Sequence, residues 1–479
     1  MDTPNVVFRN ATLIDGTGAP GRVGDLAVSG DRIVALGDIG RVAGAVEIDA
    51  TGLALAPGFI DAHCHDDLPL LRLPLLEAKV SQGVTTVING NCGFSLAPIP
   101  PGRGRPPAPL DALTGNGRFV FETFAAYFAA LESAPPAVNS ACLVGHSALR
   151  HAVMDDVYRP AGEGEIAAMR DLLRAAMTDG AIGLSTGLFY PPSAEAPTEE
   201  VIALSEVLAS FGGVYVTHMR DEADGVSDSL RETFRIGREA GVPVIVSHHK
   251  CMGQANHGRS VETLALIEAA GRDQTVWLDA YPYVATSTFL QPGRVRDASK
   301  VLITRSETTP EAAGRDLADI AQEWGVTAEA AAERLVPAGA IYFQMDEADV
   351  SRILAYEHTM IGSDGIVAEP HPHPRAWGTF PRVLGHYARD RGLFSLEEAV
   401  RKMTSLTAGR FGLTDRGVLR EGAFADLVLF DPATVIDTAD FQTPAQPAAG
   451  IHQVWTNGAC VWKDGGPTGA RPGRVLRRA

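Results

Sequence analysis

From Leu53 to Asp364, short apolar runs alternate with stretches whose apolar residues recur at helical spacing. Eight runs have the length and content of strands: Leu53–His63, Val84–Cys92, Ala141–His146, Ala181–Thr186, Val214–Met219, Val242–His249, Val276–Tyr281 and Thr359–Asp364. Residues 164–178, 199–211, 226–239 and 261–270, lying between them, have the pattern of amphipathic helices. Strand and helix in alternation predict βα units on a parallel sheet, an α/β fold. Eight such units suit a closed (β/α)8, TIM-like barrel, in which chemistry gathers at the C-terminal strand ends. An open doubly wound sheet is the alternative, but no Gly-x-Gly-x-x-Gly follows the first run to support it.

The two ends of the chain read differently. Short strands punctuated by Gly-rich turns occupy 5–56, and the texture returns at 425–430 and 452–462 with a turn at Asn457-Gly458. They predict one small β-sandwich domain, built from 1–56 and 415–479, beside a catalytic barrel over 57–414. Two stretches break the alternation. The segment 95–117 is rich in Pro and Gly and has no period, so it predicts a long loop. Residues 285–345 separate the seventh and eighth strands and carry helical patterns at 310–324 and 328–335. An insertion at that side of a barrel lies over the active site, which makes it a candidate lid.

Composition narrows the class. The chain has 479 residues, is 45% hydrophobic and 21% charged, and so is a globular protein with a large core. Its net charge of −17 argues against nucleic acid or an anionic membrane as partner. Five cysteines at scattered spacing form no disulfide framework and suit a reducing cytoplasmic compartment. The N-terminal residues lack the basic and apolar regions of a signal peptide, and no apolar run reaches transmembrane length.

Chemistry enters at the strand ends. His63 and His65 stand at i and i+2, so on a strand both project to one face. Zinc needs three or four donors, and the other strand ends supply them. Strand two ends at Cys92, strand five at His218, strand six at His248 and His249, and strand eight at Asp364. Imidazoles, one thiolate and a carboxylate suit zinc better than magnesium or calcium. The donors exceed one tetrahedral set, so either two ions share Cys92 or one tight ion has a weaker neighbour.

Gly58-Phe59-Ile60-Asp61-Ala62-His63-Cys64-His65, the later histidines, the strand-eight Asp and Gly422–Val428 resemble the amidohydrolase superfamily. Many dinuclear members of that superfamily carry a carboxylated lysine at the end of strand four. Here 183–188 has none, and Gly90-Asn91-Cys92-Gly93 supplies a cysteine instead. With Thr217–Arg220, Ser247–Lys250 and the long insertion, the chain is similar to the N-acyl-D-amino-acid deacylases, with an N-acyl-D-glutamate deacylase the favoured member. The resemblance implies a metal-dependent hydrolase of linear amides, with a tight zinc on Cys92, His218 and His248 and a weaker site at His63 and His65. Strand alternation lets only one of His248 and His249 face the metal; the family pattern favours His248, and His249 stays open. Lys250 and Tyr281 match substrate-contacting positions of the family.

Amide hydrolysis also needs a proton shuttle, and Asp364 beside the metal is the candidate general base. Arg375, just past strand eight, is placed to pair with a substrate carboxylate, and Tyr190 is a further contact candidate. Arg294 and Arg296 form a basic patch in an acidic protein, which favours an acidic side chain on a small anionic N-acyl amino acid substrate. Preference for apolar D-amino acids, cyclic-amide hydrolysis of the hydantoinase or dihydroorotase type, and a non-catalytic scaffold are the competing readings.

Overall fold

A computed structural model describes residues 4–478. Eight short parallel strands form one sheet in strict chain order: Phe59–Asp61, Val84–Asn89, Asn139–Gly145, Gly183–Gly187, Val214–His218, Val244–Val246, Val276–Ala280 and Thr359–Ile361, strands one to eight below. The ends of this sheet meet. Ala62 N donates to Ile361 O, and Asp364 N donates to His63 O at 2.7 Å, which joins strand eight to strand one. The closure rules out the open doubly wound alternative. Helices Glu163–Asp179, Thr198–Ala209, Val226–Ala240 and Ser260–Ala270 pack outside the barrel where the periodicity predicted them.

The first apolar run is not one strand. Ala54–Pro57 pairs with Leu427–Phe430 in a separate sheet, and only Phe59–Asp61 enters the barrel. The break falls at Gly58, where a Cβ would lie 2.3 Å from the Thr85 side chain. Both sheets bury their residues, so the sequence shows one continuous apolar stretch. The separate sheet has nine strands drawn from both ends of the chain, in the order Gly466–Pro467, Ala459–Lys463, Ile451–Thr456, Leu427–Phe430, Ala54–Pro57, Val6–Leu13, Arg22–Ser29 and Arg32–Gly37, with Val46–Asp49 also paired to Val6–Leu13. It curls on itself: Ile33 N donates to Ala423 O, and Phe8, Leu26, Ile33, Leu55 and Leu427 fill its interior.

The tail departs from the expected division. Residues 473–478 leave that sheet and run under the barrel, where Leu476 N donates to Ser140 O and Leu476 packs against the barrel core. Val475 and Leu476 are partly buried there against the barrel's core clusters. The insertion is also more than a helical lid. It holds a three-stranded antiparallel sheet, Ala285–Phe289, Ala338–Phe343 and Lys300–Ser306, with its own apolar core under helices Leu317–Trp324 and Ala328–Leu335. The pattern over 310–324 breaks into a short turn at Pro310–Ala312 and the helix Leu317–Trp324, separated by Gly314 at φ 80°. The Pro- and Gly-rich loop contains one helical turn, Leu110–Leu113.

Candidate metal centre and active site

All the strand-end donors arrive at one mouth of the barrel and are buried. The Cys92 Sγ lies 3.2 Å from His63 Nε2, 3.4 Å from His248 Nε2 and 3.7 Å from His218 Nδ1. A tetrahedral zinc with ordinary bond lengths would set its sulfur and nitrogen ligands about 3.6 Å apart. Two overlapping donor groups share Cys92: His63, His65, Cys92 and Asp364, and Cys92, His218 and His248. His249 is outside both. Its Nε2 lies 2.8 Å from Thr263 Oγ1, on the opposite side of the strand end, as alternation requires.

The electrostatics call for a cation among these donors. Burial pushes the Cys92 thiol up, but the His63 and His248 imidazoles outweigh it and hold the thiol well below its usual range. Burial opposes charge on His65, yet its contact with Asp364, 3.2 Å away, raises it to about 9. His218, by contrast, is lowered to about 4 by burial and stays a neutral donor. Backbone strain marks the same residues: Cys92, His248 and Asp364 all have positive φ, at 54°, 33° and 49°. Such geometry costs on the order of 1–3 kcal/mol per residue and gathers where side chains must be aimed.

Two acids escaped the sequence reading. Glu222 is buried behind the histidines, with Oε1 3.1 Å from His248 Nδ1 and 2.7 Å from Lys250 Nζ, and Oε2 3.3 Å from His218 Nε2. Burial raises its carboxyl, but these three basic groups hold it well below the usual range. Asp279 lies 3.4 Å from His63 Nδ1 and accepts a 2.8 Å hydrogen bond from the His248 amide. Carboxylates in these places orient ligating imidazoles and fix which nitrogen carries the proton. Asp279 was within reach of the sequence, as the polar residue near the end of strand seven. Glu222 lies in the loop after strand five and carries no local signal.

The remaining predicted residues sit around the same mouth. Arg375 is buried, its Nη2 2.9 Å from Asp364 Oδ2 and 3.2 Å from Ser287 O, while its Nε and Nη1 find no hydrogen-bond partner among the described residues. The Tyr281 ring lies between two cations, 4.6 Å from the Arg375 guanidinium and 5.9 Å from Lys250 Nζ. Its hydroxyl is likewise unpartnered among the described residues. Tyr190 packs 4.8 Å from the His218 ring. A narrow slot of about 30 Å³ joins His218, Lys250, Tyr281 and Asp364 to Phe189 and Arg294. The Arg294 guanidinium stacks 4.9 Å over Phe189. Arg296 pairs with Glu329, is exposed and lies outside the slot.

The description "Amidohydrolase family" fits a sequence model that matches residues 46–292 and 303–462. The chain is 58% identical to a D-aminoacylase of Alcaligenes xylosoxydans xylosoxydans over 474 residues, covering 99% of this chain and 98% of that protein. It is 55% identical to an N-acyl-D-aspartate deacylase of the same organism, covering 98% and 94%. The crystal structure of an N-acyl-D-glutamate deacylase from Bordetella bronchiseptica, complexed with zinc and a phosphonate mimic of the tetrahedral intermediate, superposes with a TM-score of 0.96 at 46% identity, over 99% of this chain and all of that one. Among the described residues no helix is long and apolar enough to cross a membrane.

Proposed function

This chain belongs to the amidohydrolase family, and from that membership we propose that it is a zinc-dependent N-acyl-D-amino-acid deacylase, releasing a carboxylate and the free D-amino acid. The observation that carries the reading is a histidine–cysteine–aspartate cluster next to a carboxylate receptor: Lys250 and Tyr281 line the slot with His218 and Asp364, and the buried Arg375 stands behind them on Asp364. Arg375 offers Nε and Nη1, Tyr281 offers its hydroxyl, and Lys250 stands beside them. A carboxylate one carbon from the scissile nitrogen suits this neighbourhood. The D configuration is taken from the relatives.

Cys92, His218 and His248 would hold the tighter zinc, and His63, His65, Cys92 and Asp364 could hold a second, weaker ion. When bound, zinc supplies Lewis acidity toward the amide carbonyl and the attacking water. This chain's residues supply the rest. Asp364 Oδ1 faces His63 and His65 while Oδ2 is tied to Arg375, so Oδ1 takes the proton of the water and delivers it to the leaving amine. His248 Nδ1, Lys250 Nζ and Glu222 Oε1 lie within 2.7–3.1 Å of one another, so Glu222 and Lys250 orient the ring whose Nε2 faces Cys92.

Cyclic-amide hydrolysis is the weaker reading. At the end of strand four, where a bridging lysine would stand, Ser185 and Thr186 are committed to Gly90 O and to the Tyr215 and Thr217 hydroxyls. The test is a panel of N-acetyl D- and L-amino acids with a hydantoin and a dihydropyrimidine, assayed on zinc-loaded, chelated and zinc-restored protein. Turnover of N-acetyl-D-amino acids that is lost on chelation and regained with zinc is expected. Preferential turnover of the cyclic amides, or activity indifferent to zinc, contradicts the proposal.

Side-chain preference rests on Arg294, the cation of the slot that no carboxylate holds closely; Asp297 lies 3.8 Å away. An acidic side chain is therefore favoured, D-glutamate before D-leucine. Losing a charge-assisted hydrogen bond costs about 1.5–3 kcal/mol, or roughly 10- to 150-fold. Arg294→Ala is expected to lower kcat/KM for N-acetyl-D-glutamate by that range and N-acetyl-D-leucine by less than threefold. Equal loss on both, or wild-type preference for leucine, removes the acidic assignment.

A further inference from the structure

A second cavity meets the metal centre at His65 and Asp364. It measures about 260 Å³, against about 30 Å³ for the slot. Tyr190, Ser287, Thr288 and Asp364 border both spaces, so the two meet at the catalytic carboxylate. An N-acyl amino acid has two arms at its carbonyl. When the carboxylate arm lies toward Lys250 and Tyr281, the acyl arm leaves toward this larger space.

The walls of the cavity mix apolar and polar groups: Phe94, Leu113 and Phe289 line it with His65, and Asn116, Arg305 and Glu369 border it as well. Leu113 comes from the Pro- and Gly-rich loop, which the slot leaves without a task, and Phe289 from the insertion, which lines both spaces. A cavity holds one water in about 10–15 Å³, so this space far exceeds what an acetyl group fills. An apolar wall gains nothing from a methyl group that does not reach it.

We propose that this cavity is an acyl-chain chamber and that the enzyme's preferred substrates carry apolar acyl groups larger than acetyl. The inference rests on the deacylase reading above and deepens it. Affinity comes from burying methylenes, each worth up to about fourfold in binding.

The experiment holds the D-amino acid fixed and varies the acyl group through acetyl, butanoyl, hexanoyl and phenylacetyl. The zinc-loaded wild type is expected to show kcat/KM rising at least tenfold from acetyl to the best larger group. Two variants fill the chamber from different segments at exposed alanines on its wall, Ala112→Trp and Ala368→Trp. Each is expected to lower the hexanoyl-to-acetyl ratio of kcat/KM at least tenfold. A ratio already near one in the wild type overturns the chamber, as does a ratio that neither tryptophan moves. If no N-acyl-D-amino acid of the series is hydrolysed, the deacylase reading itself fails, and that outcome differs visibly from turnover that ignores acyl length.

Discussion

Asp364→Asn is expected to lower kcat by about 10²- to 10⁴-fold, the range for removing a positioned general base, while the protein keeps its tightly bound zinc. The geometry separates the two effects. Asp364 belongs to the donor group with His63, His65 and Cys92, but the group of Cys92, His218 and His248 does not include it. Asparagine keeps the shape and can still face Arg375, yet it cannot take a proton. Burial raises the Asp364 carboxyl, but Arg375, His248 and His65 outweigh that and hold it well below the usual range, so it is ionised at neutral pH and competent as a base. Metal content by atomic absorption, measured with single-turnover kinetics on one batch, checks both halves. Zinc lost in step with activity would make Asp364 a ligand first, and activity within tenfold of wild type would remove it from proton transfer.

The sequence revealed the site better than its supports, and the reason is topological. Parallel strands in a closed barrel put every C-terminal end at one mouth, so a polar residue at a strand end is placed almost by counting. His63, His65, Cys92, His218, His248 and Asp364 were legible in this way. Side chains that reach the site from between strands were not. Glu222 lies four residues past His218 in a loop, and nothing local distinguishes it from the neighbouring Asp221 or Asp224. Arg294 and Arg296 looked equivalent as a basic pair; a turn of short helix and the partner Glu329 set one into the slot and the other out.

The fold shows the same division between local and non-local information. Helix spans came through because a 3.6-residue period is local. The strand break at Gly58 did not, since both flanking sheets bury their residues and leave one apolar run. The insertion's three strands were hidden for a different reason. Ala285–Phe289 and Lys300–Ser306 pair with Ala338–Phe343, whose partners lie 32 or more residues away, and each strand alone reads as loop.

Lys79 is the least legible residue with a large expected effect. It is fully buried, with Nζ 2.7 Å from Asp61 Oδ2, 3.2 Å from Asp66 Oδ2 and 2.8 Å from Ser363 Oγ. Asp61 in turn accepts from the backbone amides of His63 and Ser363, the residues that carry or precede the site's first histidine and its base. One cation thus clamps strand one to strand eight directly beneath the metal centre. Burial disfavours the charge, but Asp61 and Asp66 outweigh it and raise the ammonium above its ordinary value. Its stabilising contribution is fully present below the unfolded-state value and lost only as pH rises through the raised one, so alkali short of denaturing conditions does not remove it. Substitution does. Lys79→Met leaves two buried carboxylates facing each other, and breaking a buried pair in this way costs about 3–5 kcal/mol. At about 2.1 cal/mol/K per residue for a chain of this length, that lowers Tm by roughly 3–5 °C. Burial already raises the Asp66 carboxyl with Lys79 present; without it, protonation at acid pH relieves the repulsion, and the deficit should shrink from pH 8 to pH 5. Lys79→Met with Asp66→Asn should recover part of the loss at pH 8. A Lys79→Met protein with wild-type Tm, or a deficit that grows toward acid pH, would show that the clamp does not hold the two strands together.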